Sequence, residues 1–316
     1  MLKRRDFVRD AAMSAALLAA GRAFAQAPGE TTGDARLDAL QHDIDKLTPE
    51  DFKAYYAKGS ETPADEVAAW RKRFACLDRL ETAFEKVYRE AQETVVTDAN
   101  RPAVWYVYNM GFIVKTRESL FSIDLMHRRG EEFAPFLDFA LITHNHRDHY
   151  TERFKVAMDR KEHKTVVNNF FDNYGATPWK EKGGFTRAAK EFAFKDVKVL
   201  TALTDHNDYL VDYTTTFEIH VGDFTIFHSG DCSNWRKLNS RRQPDLWMVH
   251  PYCGMDPVVA ARETVHPKNT LIAHLHELHH PYGKARWSFC VGQEVKRNLA
   301  AAGYDADFPL WGARVA

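Results

Sequence analysis

Ten residues near the middle of the chain, 141 to 150, read LITHNHRDHY and constrain the fold more than any other stretch. An apolar strand end runs directly into His144, His146, Asp148 and His149. Because these side chains cannot all face one way on a helix or a strand, the segment is predicted to be a loop. Imidazole nitrogens and a carboxylate suit Zn²⁺ and neighbouring divalent metals, so we expect the loop to surround a cation. The alternative is a His-rich surface turn.

Further along the chain, strand-like segments repeatedly stop at a histidine or an aspartate. Three such segments end just before His206, Asp231 and His274, and helical segments alternate with the strands. An α/β scaffold gathers ligands from distant positions in this way, at one rim of its sheets. The sequence therefore predicts seven ligands in one site, enough for two metals. His276 is the alternative to His274, which is favoured because it directly follows an apolar strand.

Composition limits the classes of protein that this chain can belong to. With 316 residues and 45% hydrophobic content, it can bury a large core as one domain, or as one domain with a small appendage. The formal net charge is −1, and no basic stripe with interleaved aromatics suggests nucleic-acid binding. No stretch has the roughly 18 to 20 apolar residues of a permanent membrane span.

The N-terminus has the pattern of an export signal. Residues 3–8 read KRRDFV, a twin-arginine pattern, and a short apolar stretch then leads to Ala23-Phe24-Ala25, which fits a cleavage site. Residues 1–25 are therefore predicted to be a twin-arginine signal peptide, and 26–33 a linker. The protein would cross the membrane folded, with its metal already loaded, and be periplasmic or secreted. A short amphipathic helix with a chance arginine pair is the alternative.

Residues 34–98 are predicted to form a helical extension. Asp34 and Thr48 are candidate helix caps, and a longer helix is predicted to begin at Thr62-Pro63. Its apolar residues recur at spacings of three and four, at Val67, Trp70, Phe74, Leu77, Leu80, Phe84, Val87 and Ala91. We expect this stripe to pack on the following domain, with a homodimer contact or an active-site lid as alternatives.

Four cysteines, Cys76, Cys232, Cys253 and Cys290, lie far apart and include no CxxC pair. Four thiols allow three pairings, which the sequence does not rank. Ordinary buried cysteines are the favoured interpretation.

Several of these motifs together resemble a known family. HNHRDH at 144–149, the isolated His206, HSGD ending at Asp231 and LIAH ending at His274 look like the metallo-β-lactamase superfamily of hydrolases. Order and spacing are similar to the branch containing L-ascorbate-6-phosphate lactonase and N-acylphosphatidylethanolamine phospholipase D. The resemblance covers about residues 101–316 and implies a metallo-hydrolase domain there. The implied fold is an α/β, metallo-β-lactamase-type αββα four-layer sandwich, outside which the helical extension lies.

The resemblance also implies roles for the predicted ligands. His144, His146 and His206 would bind one metal, Asp148, His149 and His274 the second, and Asp231 would bridge them. True β-lactamases usually have Cys or Ser in place of Asp231, so an antibiotic-degrading role is disfavoured. His146 stands where flavodiiron oxidoreductases have Glu, which favours two Zn²⁺ ions over a redox di-iron centre, with Mn²⁺ or Fe as alternatives.

The expected activity is hydrolysis of a lactone, ester or phosphodiester, with a small-molecule substrate attacked by a hydroxide held between two metals. Asp148 would orient this nucleophile, while His250 and Tyr252 would stabilise an oxyanion or a leaving group. Asp124 is expected to support the metal loop. His276, His279 and His280 are expected either to line the pocket or to lie in a solvated loop. The alternatives are an iron-dependent redox member of the same fold, of oxygenase type, and a non-catalytic metal-stabilised binding protein.

Overall fold

The computed structural model of this protein describes residues 31–162, 164–168, 190–280 and 286–316. The predicted signal peptide and most of the predicted linker lie outside the described residues.

The described strands form two sheets. The first sheet consists, in spatial order, of Ala103–Tyr108 (β1), Gly111–Lys115 (β2), Leu120–Ile123 (β3), Phe139–Leu141 (β4) and Thr165–Val167 (β5). The second consists of Glu191–Phe194 (β6), Val197–Thr204 (β7), Thr214–Val221 (β8), Phe224–His228 (β9), Leu246–Val249 (β10), Asn269–Ile272 (β11) and Asp305–Asp307 (β12), again in spatial order. Each sheet is part antiparallel and part parallel: β3 to β5 and β9 to β12 are the parallel portions.

The two sheets pack face to face through apolar side chains. Phe112, Phe121 and Phe139 of the first sheet share one buried cluster with Phe217 and Met248 of the second. Strands of this kind read as nearly continuous apolar runs because both of their faces are covered.

Helices cover the outer faces. They are Ala35–Asp45 (α1), Pro49–Tyr56 (α2), Ala64–Arg73 (α3), Ala75–Glu93 (α4), Glu152–Val156 (α5), Pro257–Ala260 (α6) and Phe289–Ala301 (α7). Helix α4 packs on β1 and β2, whereas α7 packs on β11 and β12. The order of layers is therefore helix, sheet, sheet, helix, which confirms the predicted αββα sandwich. None of the described helices has the length and apolar character needed to cross a membrane.

The predicted caps are confirmed, but the predicted long helix is wrong. Asp34 accepts a hydrogen bond from the Arg36 amide and Thr48 accepts one from the Asp51 amide. The helix expected from residue 62 onward is instead two helices, because Phe74 has an extended backbone with φ −129°. The break allows α4 to bury its stripe although α3 has no fully buried residue.

The apolar stripe of α4 packs within the chain. Leu77, Leu80, Phe84, Val87 and Ala91 are completely buried and belong to one apolar cluster with residues of β1, β11 and α7. The extension therefore shares its core with the sandwich, as the sequence predicted, and this stripe is covered by the chain itself.

A buried charge fixes the extension to the sandwich. Glu81 of α4 is fully buried and accepts hydrogen bonds from Arg128, which follows β3, and from the hydroxyl of Tyr55 in α2. Although burial opposes ionisation, His127 and Arg128 hold the pKa of Glu81 at about 2. The carboxylate is thus charged, and the loss of either partner would leave a buried charge uncompensated.

Replacing Glu81→Gln should lower the free energy of unfolding by about 3–5 kcal/mol, because Arg128 loses its counterion in a buried place. Urea unfolding at pH 7 measures this. Because the pKa of Glu81 is lowered in the folded state, the contribution of its carboxylate to the free energy of unfolding is present above pH 4.5, its ordinary pKa. This contribution is lost as the pH falls towards 2. The matched control is Glu85→Gln on the same helix, whose ion pairs are exposed and should contribute less than about 1 kcal/mol. Equal effects of the two substitutions would contradict the assignment.

Candidate metal centre

The predicted ligands follow strands whose carboxyl ends meet at one edge of the sandwich. The loop 142–149 follows β4, and His206, Asp231 and His274 follow β7, β9 and β11 within three residues of each strand end. Strand β7 runs in the same direction as β9, because each is antiparallel to β8 between them. The topology therefore brings residues 130 positions apart in the sequence, from His144 to His274, to one place.

The seven predicted ligands lie in two groups. Within each group the potential ligand atoms are all within 4.8 Å of one another. The first group is His144, His146 and His206, and the second is Asp148, His149, Asp231 and His274. Together they form a buried His/Asp site that can hold metal.

Asp231 lies between the two groups. Its Oδ2 is 3.5 Å from His206 Nε2 and 3.9 Å from His144 Nε2 in the first group. The same oxygen is 3.3 Å from His149 Nε2 and 3.6 Å from His274 Nε2 in the second. One carboxylate oxygen is thus close to imidazole nitrogens of both groups, the arrangement expected of a bridging ligand.

Several of these ligand atoms have no other partner. Among the described residues, the Nε2 atoms of His144, His149 and His206 and Asp231 Oδ1 are buried and make no hydrogen bond. Buried polar atoms are otherwise nearly always satisfied, so such a convergent set needs an explanation. A metal ion supplies one, and the residues present therefore fit a metal centre. Burial, together with neighbouring His149, holds the pKa of His144 well below its usual value, so this imidazole is neutral. Although burial opposes it, Asp231 raises the pKa values of His149 and His274, so these two imidazoles would release a proton when they bind a metal.

Asp124 orients two residues of the metal loop. It is fully buried and accepts hydrogen bonds from His149 Nδ1 at 2.8 Å and from the amide and hydroxyl of Thr143. With its Nδ1 proton engaged, His149 presents Nε2 to the site. The supporting role expected of Asp124 is confirmed.

Asn109 is a site residue that sequence reasoning missed. It lies between β1 and β2 with φ 56°, and its side-chain amide donates to Asp148 O at 2.7 Å. Its own backbone oxygen accepts from the His274 amide at 2.8 Å. One turn residue therefore fixes two ligands of the second group. The only signal was the Asn-Met-Gly break between two strands, which predicts a turn but not these contacts.

His250 and Tyr252 have different positions relative to the ligands. The ring of His250 is buried and lies 4.0 Å, centroid to centroid, from that of His274. Its Nδ1 accepts a hydrogen bond from the Tyr252 amide. The Tyr252 ring instead contacts Trp287 at 5.4 Å, and in the described part of the chain no contact joins its hydroxyl to either ligand group.

The loop after His274 contains the remaining histidines. His276, the alternative ligand, belongs to neither group and packs on Phe289 at 4.2 Å between ring centroids. His279 and His280 are both held by Glu277, a fully buried carboxylate that accepts from the amide and Nδ1 of each. Glu277 was also missed, because only the folded loop places it within 4.8 Å of a potential ligand atom of Asp148.

This loop also contacts the helical extension. The ring of His279 lies 4.8 Å from Phe52 and 5.6 Å from Tyr56, both on α2. Helix α2 therefore supports the segment that follows the last ligand, although the extension supplies no ligand itself.

Comparison with known proteins supports the fold. No family model and no curated protein matches the sequence. Among solved structures, Igni18, a metallo hydrolase from the archaeon Ignicoccus hospitalis, is 15% identical with a TM-score of 0.53, covering 68% of this chain and 97% of that one. The isothiocyanate hydrolase from Delia radicum gut bacteria is 16% identical with a TM-score of 0.50, covering 68% and 98%. YhfI from Bacillus subtilis, a metallo-beta-lactamase fold protein, is 13% identical with a TM-score of 0.48, covering 68% and 98%. Together with the two-sheet architecture, the similarities to Igni18 and to the isothiocyanate hydrolase show that this chain shares the fold of these two hydrolases.

The Asp124→Asn variant should bind metal at the second ligand group about 10- to 100-fold more weakly, because Asn is uncharged and has a single accepting oxygen, so it cannot accept from both the Thr143 amide and His149 Nδ1. Zinc titration by calorimetry measures both sites. The matched control is Asp196→Asn, which replaces a carboxylate that caps a turn through Thr116 and Ser119. Asp196 is absent from both ligand groups, so this variant should bind metal like the wild type. Unchanged zinc binding in Asp124→Asn would contradict the assigned role.

Proposed function

We propose that this protein is a metal-dependent hydrolase that cleaves a lactone, an ester or a phosphodiester. The observation that carries the proposal is Asp231 Oδ2, which lies within 3.9 Å of imidazole nitrogens from both ligand groups. A carboxylate in this position is suited to holding two cations side by side. Bound there, two divalent cations would lower the pKa of a shared water and polarise the scissile bond.

Asp148 is the residue to which we assign orientation of the nucleophile and transfer of its proton. Its carboxylate is buried, and Oδ2 lies 3.2 Å from His274 Nε2 and 3.4 Å from the side-chain nitrogen Nδ2 of Asn109. Although burial opposes it, His149 and His274 hold the pKa of Asp148 well below its usual value, so the group is an acceptor at neutral pH.

We assign His250 the role of donating a hydrogen bond to the substrate oxygen that gains negative charge during hydrolysis. Burial, together with neighbouring His274, holds the pKa of His250 well below its usual value, so the imidazole is neutral. Since Nδ1 accepts from the Tyr252 amide, the proton is on Nε2, which is then a hydrogen-bond donor. Burial raises the pKa of Tyr252 to about 12, so we assign its hydroxyl the role of a hydrogen-bond donor to the leaving group and not of a proton donor.

The choice of substrate class rests on the sequence resemblance, which favours lactones and phosphodiesters. Because an isothiocyanate hydrolase shares the fold, an isothiocyanate belongs in the same substrate panel.

Zinc is our preferred metal, since imidazole and carboxylate ligands suit it. Two zinc ions per purified chain would support hydrolysis, and a coloured iron centre would favour the redox alternative.

The Asp148→Asn variant should remain folded and lose about 10²- to 10⁴-fold in kcat/KM, the usual contribution of a positioned acid–base group. Activity is measured on a panel of lactones, carboxylic esters, thioesters, phosphodiesters, isothiocyanates and β-lactams with zinc-loaded protein. The control is Asp223→Asn, an exposed carboxylate in the turn between β8 and β9, which should act like the wild type. Full activity of Asp148→Asn on every accepted substrate would contradict the mechanism, and inactivity of the wild type on the whole panel would contradict the proposed function.

A further inference from the structure

Cys253 differs from the other described cysteines near the site. It lies in the turn after β10, is only partly buried, and its Sγ is 3.5 Å from the backbone oxygen of His206. Its sulfur also lies within 4.8 Å of potential ligand atoms of His206 and Asp231, so these three residues form a group of their own.

The two partners of Cys253 in this group have unsatisfied atoms. Within the described chain, His206 Nε2 and Asp231 Oδ1 are buried without a hydrogen-bond partner, and the Asp231 residue is only 4% exposed. One nitrogen, one oxygen and one sulfur atom of these three residues therefore lie within 4.8 Å of one another. A cysteine alone would not indicate a metal site, but this cysteine belongs to a group of ligand residues in which a buried carboxylate oxygen has no hydrogen-bond partner.

Cys232 shows what a structural cysteine looks like in the same region. It directly follows Asp231 but is completely buried, and its Sγ is 2.9 Å from Thr204 Oγ1. It belongs to none of the potential ligand groups among the described residues. Cys232 is therefore next to Asp231 in the sequence but outside the ligand groups, whereas Cys253 is distant in the sequence and belongs to one of them.

We propose that Cys253 is a metal ligand at the His206 side of the centre, where its thiolate joins Asp231 and makes the site selective for zinc. On binding, the S–H bond breaks, a sulfur–metal bond forms and the proton passes to solvent. Thiolates are soft ligands that favour Zn²⁺ over Mn²⁺, whereas imidazole and carboxylate alone discriminate less. The inference rests on the metal centre of the proposed function, but not on hydrolysis.

Cobalt is the probe for this ligand, because a thiolate bound to Co²⁺ gives a charge-transfer band in the near ultraviolet that imidazole and carboxylate do not give. The full chain loaded with Co²⁺ should show the band, and the matched control Cys232→Ser should keep it. Cys253→Ser should lose it. The ratio of Zn²⁺ to Mn²⁺ affinity should fall about 10-fold or more in Cys253→Ser, since even outer partners of a ligand contribute that much.

A second measurement on wild-type protein keeps the test valid if Cys253→Ser folds poorly. Zinc loading should protect Cys253 from iodoacetamide, and peptide mass spectrometry reads the modified position. Absence of the band in wild type, its persistence in Cys253→Ser, or alkylation of Cys253 at an equal rate with and without zinc would each overturn the inference. A protein that shows the band but hydrolyses nothing would instead contradict the proposed function alone, and hydrolysis without the band would contradict only the role of Cys253.

Discussion

The metal centre depends on the position of one carboxylate, that of Asp231. Its Oδ2 is surrounded by imidazole nitrogens at 3.3 to 3.9 Å, while its Oδ1 has no partner among the described residues. Burying a carboxylate and several imidazoles this closely is costly unless charge and hydrogen-bonding capacity are compensated. Divalent metal would provide that compensation, and its binding free energy would then contribute to the stability of the loops that present the ligands.

The surrounding structure holds those ligands in place from several directions. Asp124 fixes His149 from the end of the first sheet, and Asn109 fixes both Asp148 and His274 from the turn between β1 and β2. On the other side, Glu277 holds His279, which packs on α2 of the extension. Glu81 in turn links the extension to Arg128. The N-terminal helices are therefore part of the structure that supports the site. Precise placement of this kind is what a metal centre needs from its supporting residues.

The parts of the site that the sequence predicted are those with a local signal. HNHRDH is a compact motif, and His206, Asp231 and His274 each follow an apolar strand whose end the topology places at a common edge. Asn109, Glu277 and Cys253 had no such signal, because the contacts that bring them close to the ligands join separate loops. The broken helix at Phe74 was missed for a related reason: apolar spacing continues across a single extended residue, so periodicity alone does not reveal the break.

We propose that Asp231 bridges two metal ions, and anomalous diffraction from zinc-loaded crystals would locate both ions. We expect two zinc peaks, one beside His144, His146 and His206 and the other beside Asp148, His149 and His274, with the Asp231 carboxylate between them. A single peak, or two peaks with Asp231 coordinating neither or only one of them, would show that Asp231 is not a bridging ligand.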